Sequence, residues 1–269
     1  IEKGIPAPVQ AIVDGSESNA ASVGLSYASA IVAGYSQDAL LQSFARRGLG
    51  ALTPITVTPQ IRVWYNPDLK SRNYIIPGLL GLILMQATVS LTALALVKEK
   101  ERGTLEQLIV TPIKTWQIII GKLAPFAIIG LVDIFLALIG VTVVYGIPVH
   151  GSVVLLIILT ILFIFTTLGI GLFVSTVSET QQQAMMTAMF FVMFPMNFLS
   201  GFVFPIENMP AIIQGFSYLL PLRYFYEIIR GIFLRGAGLA ELWPQVLALV
   251  AFGVGMLAIS SLRFHKKLA

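Results

Sequence analysis

Long apolar blocks dominate the chain. Residues 75–97, 123–145, 153–177, 184–204 and 243–262 contain Asp133 as their only charged side chain. As a helix, 75–97 extends about 34 Å, enough for the hydrocarbon core of a bilayer. The pattern therefore predicts five membrane-spanning helices, within which glycine and proline are tolerated where neighbouring helices satisfy the freed backbone groups. Residues 205–242 hold two shorter apolar pieces, 211–220 and 224–234. Each falls well below the roughly 20 residues of a span, so they are expected to dip into the membrane and turn back. The alternative is an amphipathic loop on the outer surface. Pro210 and Pro221 start the pieces, and Arg223, Glu227 and Arg230 share a helix face on which they can pair.

Residues 1–74 have ordinary polarity. A β-branched run at 9–13 stops at Asp14-Gly15-Ser16, and 19–47 carries Leu25, Ile31, Val32, Leu40, Leu41 and Phe44 at roughly helical spacing. Ile55, Val57, Ile61, Val63 and Tyr65 then alternate with Thr56, Thr58, Arg62 and Trp64, interrupted by Pro59 and ended by Asn66-Pro67. Strand, helix and strand make a small α/β domain over 1–74, ahead of a transmembrane domain over 75–269. Because Ile1 opens the chain without a charged or apolar leader, the expectation is a chain that begins mid-protein, with an incomplete front domain.

The composition agrees: 57% of residues are hydrophobic, 11% are charged, and the mean hydropathy is +0.87. A net charge of +4 without a basic stripe argues against nucleic acid as a partner. With no cysteine, disulfides, zinc–thiolate sites and thiol catalysis are excluded. Asp14-Gly15-Ser16-Glu17-Ser18 lacks the glycine spacing of a nucleotide motif and reads as a turn.

Charge also predicts orientation. Lys98, Lys100, Arg102, Lys114 and Lys122 lie in the 98–122 loop, and Arg263, Lys266 and Lys267 follow the last span. Both segments are expected in the cytoplasm, with the front domain and the 205–242 loop outside. Lys98-Glu99-Lys100-Glu101-Arg102 continues from a span until Gly103 breaks the helix. Thr104 and Gln107 then form a capping box for a short helix bearing Leu105, Leu108 and Ile109 on one face, with Glu106 pointing away. Thr111-Pro112 starts the next helix. From the residues alone, this elbow either lies in the headgroups or docks on a cytoplasmic partner.

The run from Glu99 to Leu108, Thr111-Pro112 and Gly121-Lys122 resembles the loop after the second span in permease subunits of type-2 ABC transporters, the multidrug-exporter branch in particular. Gln181-Gln182-Gln183-Ala184, Leu199-Ser200-Gly201, Phe204-Pro205-Ile206, Asn208-Met209-Pro210, Pro221-Leu222-Arg223-Tyr224 and Arg230-Gly231 follow the same family's order. The resemblance implies the permease half of an ATP-driven exporter in the bacterial inner membrane, working as a dimer of identical or homologous permeases. Two separate ATPase subunits would hold ATP and magnesium, and this chain would bind no cofactor of its own. Glu99, Glu101, Gly103, Thr104, Leu105, Glu106, Gln107 and Leu108 would contact the ATPase, and an extracytoplasmic adaptor is a further candidate partner. Pro205, Met209, Pro210, Pro221, Arg223, Glu227 and Arg230 would belong to outer re-entrant helices shaping the pathway exit. The family's N-terminal helix and first span are absent from these 269 residues, which implies a fragment.

A carboxylate at mid-span costs roughly 2.5–3.5 kcal/mol on insertion scales. Asp133 can face the pathway, relay a proton or bond to a neighbouring helix. Gln86, Asn197 and Ser200 are cheaper polar residues, suited to joining helices or lining the pathway. No GxxxxGK[ST], HExxH or GxSxG occurs, and His150 and His265 read as interfacial loop residues. An ion- or proton-coupled secondary transporter using Asp133 is the competing class, and a membrane-embedded enzyme comes third.

Overall fold

A computed structural model describes residues 9–15, 18–47, 59–103 and 115–266. It divides into two units, Ile1–Tyr74 and Ile75–Ala269. Thr104, Leu105, Glu106, Gln107 and Leu108, and the 55–58 part of the expected second strand, lie outside the described residues.

In the first unit, β1 (Val9–Asp14) and β2 (Pro59–Trp64) pair in parallel, with Val9 opposite Pro59 and Asp14 opposite Trp64. A parallel pair needs a crossover rather than a hairpin, and the connection contains α1 (Ser18–Arg47). Pro59 stands at the first position of β2, where a missing N–H is tolerated. Beyond β2, the buried Asn66 ties the following turn together. Its Oδ1 accepts from the Lys70 N–H at 3.3 Å and from Asn73 Nδ2 at 3.1 Å, while its Nδ2 donates to the Lys70 carbonyl at 3.1 Å.

Among the described residues of the second unit, four helices are long and apolar enough to cross a membrane. They are α2 (Ser71–Glu101), α3 (Thr115–Ile139, continued by a π turn at Gly140–Val144), α4 (Val153–Val177) and α9 (Leu239–Lys266). The fifth expected span, 184–204, is corrected in form. The chain there is helical from Gln181 to Leu199 but segmented into α5 (Gln181–Thr187), a π turn (Ala188–Met193) and α6 (Phe194–Leu199), while 200–204 forms bends. At 1.5 Å per residue the segmented rod extends about 28 Å. The remaining pieces are α7 (Ala211–Ser217) and α8 (Pro221–Arg230), the latter continued by a π turn at Gly231–Arg235.

The core sits around α4, whose Leu156, Leu159, Phe163, Ile164, Leu168 and Leu172 are all buried. Small residues and hydroxyls bring its neighbours close, as expected where lipid offers no hydrophobic drive between helices. A Cβ on Gly171 would meet the Val89 carbonyl oxygen of α2 at 2.9 Å and Thr92 Cβ at 2.8 Å, so only glycine permits this approach. One helical turn away, Thr88 Oγ1 donates to Thr167 Oγ1 at 2.7 Å. On the other side, Ser260 Oγ of α9 donates to the Gly169 carbonyl at 3.2 Å, and Thr166 Oγ1 to the Leu249 carbonyl at 3.3 Å. Each of these hydroxyls satisfies itself without a partner side chain of opposite charge, which suits a low-dielectric interior.

α8 does not lie on the surface as the amphipathic-loop alternative required. Its Leu222, Phe225, Tyr226, Ile228 and Ile229 are fully buried, and the Phe225 ring stacks on Phe163 of α4 at 3.9 Å between centroids. By contrast, α7 keeps Ile212 and Phe216 exposed.

Replacing Gly171 by leucine is expected to destabilise the protein by about 1–3 kcal/mol through overpacking. Thr167→Val should cost about 0.6 kcal/mol, the average for an interhelical hydrogen bond in a membrane protein. Thermal unfolding of the detergent-purified variants checks both magnitudes and their order.

Candidate functional site

The end of α2 carries a charge run that is bonded to several neighbouring helices. Successive residues of a helix project about 100° apart, so a run of three can reach three different neighbours. Glu99 pairs with Lys122 of α3. Lys100 Nζ donates to the Ser178 carbonyl, at the C-cap of α4, at 2.8 Å. The Glu101 carboxylate accepts from the Gln181 backbone N–H at 2.7 Å and also from Gln181 Nε2, at the first turn of α5. A negative charge there also complements the positive end of the α5 dipole.

α5 has a cap of its own. Thr180 Oγ1 accepts from the Gln183 N–H at 3.2 Å, and Gln183 Oε1 accepts from the Glu179 N–H at 2.8 Å. Past Glu101, the Gly103 N–H donates to the Lys100 carbonyl at 3.2 Å. Gly103 has φ +66°, the left-handed conformation in which glycine ends a helix. The end of α2, which leads into residues 104–114, is thereby fixed to α3, to α4 and to α5 at once.

A second polar cluster lies between residues 200 and 245. Pro205 precedes the 3₁₀ turn Ile206–Asn208, and Pro210 immediately precedes α7, where its carbonyl accepts from the Ile213 N–H at 2.9 Å. The Met209 carbonyl accepts from Gln214 Nε2 at 2.8 Å. Pro221 is the buried first residue of α8, where its missing N–H is harmless. The expected pairing on α8 is present between Arg223 Nε and Glu227 Oε1, at 3.7 Å. Arg223 also donates to Ser217 Oγ and lies over the Tyr218 ring at 3.9 Å, and Glu227 accepts from Gln245 Nε2 at 2.6 Å. Arg230 reaches elsewhere: its Nη2 donates to the Gly201 carbonyl at 3.2 Å, and its guanidinium lies 5.5 Å from the Tyr226 ring centroid.

No hydrogen bond among the described residues joins Asp133, Gln86, Asn197 and Ser200 to one another. Asp133 is half-exposed on α3 and Gln86 is exposed on α2. Ser200 is buried, and Asn197 lies one turn before it in α6. Beside them, Met185, Met189, Phe190, Phe191, Phe194 and Phe198 form an exposed apolar face along α5, its π turn and α6. His150 Nδ1 contacts the Phe233 carbonyl at 2.7 Å.

Sequence reasoning missed Lys100, Ser178 and Gln181 as partners of the stem. Gln181 stood out only as part of a motif, and Lys122 only as part of a motif and as a loop charge. Nothing in local spacing links Glu101 to a residue 80 positions away; that link exists only after the helices have packed.

A family model described as "ABC-2 family transporter protein" matches residues 1–262. Among curated proteins, the chain is 36% identical over 241 residues to the "Probable multidrug ABC transporter permease YbhR" of Escherichia coli (strain K12), covering 89% of this chain and 63% of that protein. It is 34% identical over 262 residues to the "Probable multidrug ABC transporter permease YbhS" of the same strain, covering 97% of this chain and 68% of the relative. The "Inner membrane transport permease YhhJ", also of that strain, is 31% identical over 261 residues, covering 96% and 67%. The chain thus spans about two thirds of the length of these relatives.

Reversing the stem pair tests its geometry. Glu99→Lys and Lys122→Glu should each lower thermal stability, and the double exchange should recover part of the loss. The expected coupling is about 0.5–1 kcal/mol, modest because the Glu99 side chain is 42% exposed. A double-mutant cycle on the purified protein measures it.

Proposed function

The chain belongs to the ABC-2 family of transporter proteins, and from that premise we propose that it is the membrane permease of an ATP-driven exporter. It moves a drug-like or amphiphilic substrate out of the cytoplasm by alternating access. One observation carries the mechanism: consecutive charged residues at the end of α2, just ahead of residues 104–114, bond to α3, to the end of α4 and to the start of α5. A push on the 104–114 segment is delivered to several membrane helices together.

On this reading the loop faces the cytoplasm and its short helix seats on a separate ATPase subunit. Glu99, Glu101 and Gly103 hold the stem, while Thr104, Leu105, Glu106, Gln107 and Leu108 make the contact. ATP and magnesium belong to the ATPase, consistent with the lack of a phosphate-binding loop in this sequence. ATP binding closes two such subunits and shifts the helices of two permeases, identical or homologous, between inward- and outward-open arrangements. The first unit and the 200–235 region then lie outside, the C-terminus lies inside, and an extracytoplasmic adaptor is an additional partner. The host membrane is the bacterial inner membrane.

The exposed Met and Phe face of α5 and α6 supports an amphiphilic substrate, because methionine is polarizable and adapts to varied apolar shapes. Gln86, Asn197 and Ser200 supply polar contacts along the pathway. The two relatives named as multidrug permeases point the same way.

A second reading, an ion- or proton-coupled transporter, draws on Asp133. Its carboxylate has no hydrogen-bond or ion-pair partner among the described residues and sits half-exposed in a span. The ABC reading is preferred because it also gives the charged stem a task.

The two readings separate in vesicles carrying the full-length permease with its ATPase. Export should persist with ATP when the proton gradient is collapsed, and should stop without ATP. Transport that follows the gradient instead of ATP would favour the second reading. Replacing Glu106 or Leu108 should leave the permease in the membrane but uncouple ATP hydrolysis from export, and undiminished export rates in both variants would remove the docking role.

A further inference from the structure

We propose that the π turn Ala188–Met193 is a hinge, at which α5 swings with the end of α2 while α6 stays with the 200–235 region. The proposal deepens the transport reading above and rests on it for the source of the motion.

Backbone chemistry places the weak point. Pro195 has no N–H, so the Phe191 carbonyl cannot receive the usual bond from four residues on. Just ahead of it, the Phe194 N–H bonds to the Met189 carbonyl, five residues back, as in a π turn. Such turns interrupt the regular ladder and are recognised causes of helix bending.

The two sides of the turn are held by different parts of the protein. Below it, Gln181 is bonded through its backbone and its side chain to Glu101 at the end of α2. Above it, the Gly201 carbonyl just beyond α6 accepts from Arg230 of α8, and Phe194 packs on Phe198 within α6 at 4.6 Å between ring centroids. The turn itself contributes only Ala188, Val192 and Met193 to the packed interior, while Met189, Phe190 and Phe191 are exposed. Bending there therefore disturbs few core contacts. A segmented rod gripped at both ends yields where its backbone bonding departs from the regular ladder. Because the exposed Met and Phe face runs across the turn, such bending would also reshape that face.

Residues 1–269 contain no cysteine, so an introduced pair adds the only thiols of this segment, and any thiols elsewhere in the full-length permease or its ATPase are replaced before spin labelling. Phe165 on α4 serves as the reference, paired with Met186 in α5 or with Phe198 in α6; all three side chains are exposed. Distances are read by double electron–electron resonance in the full-length permease assembled with its ATPase, diluted with unlabelled permease. Nucleotide-free and vanadate-trapped states are compared. The 165–186 distance should shift by ~3 Å or more, within the scale of helix shifts in switching proteins, while 165–198 holds steady. Equal shifts in both pairs, or none in either, overturn the hinge.

As a second arm, Pro195→Ala restores the missing N–H. It should lower ATP-driven export by about tenfold or more, as hinge changes commonly affect turnover, with ATP hydrolysis and membrane abundance retained. Unchanged export overturns the proposal. Should that variant fail to accumulate, the two distances in the proline-containing chain still decide. Absence of ATP-driven export in the unaltered protein would defeat the transport reading instead, and the distances would report on the hinge independently.

Discussion

The approach of α2 to α4 at Gly171 is the contact on which the second unit depends. In lipid, apolar surfaces gain little by leaving the solvent, so close van der Waals contact and interhelical hydrogen bonds must hold helices together. A missing side chain at Gly171 lets the α4 backbone come against Val89 and Thr92, and that proximity puts Thr88 within bonding distance of Thr167. On the opposite face, Ser260 and Thr166 join α9 to α4 by similar means. α4 is therefore covered on several sides, and the stacked Phe163–Phe225 pair brings α8 into the same core.

Polar chemistry is concentrated where this packing ends. At the end of α2, neighbouring helices lie close enough for Glu99, Lys100 and Glu101 to bond to three of them, which converts a charge run into a brace. At the 200–245 cluster, Arg223, Glu227 and Arg230 fix α8 to Ser217, Gln245 and Gly201. Between these two braced zones, the rod from Gln181 to Leu199 is the irregular member, with its π turn ahead of Pro195. Rigid ends joined by a segmented middle suit a protein proposed to pass motion from one side of a membrane to the other.

Much of the architecture was legible from residue order. Apolar runs broken by a single charge, Asp133, located four long apolar helices close to where they lie among the described residues, and the β-branched segments at 9–13 and around 61–63 fall in the paired strands. The prolines at 210 and 221 marked the starts of α7 and α8, because a residue without an N–H fits best where a helix begins. The expected pairing of Arg223 with Glu227 was also readable, since residues four apart share a helix face. The 184–204 run looked like one regular span because hydropathy is blind to which carbonyl each amide chooses. Only the backbone bonding reveals the π turn and the end of the helix at Leu199.

By itself, the sequence determined that this chain must live in a bilayer, where its spans fall and which family pattern it follows, because those properties depend on local hydrophobicity and on the order of short motifs. Tertiary structure decided that α8 is buried rather than laid on the surface, that Arg230 turns to Gly201, and that Glu101 meets Gln181. These are contacts between residues distant in sequence. They arise only when close helix packing brings side chains together, and no local periodicity encodes which partner a charge will find.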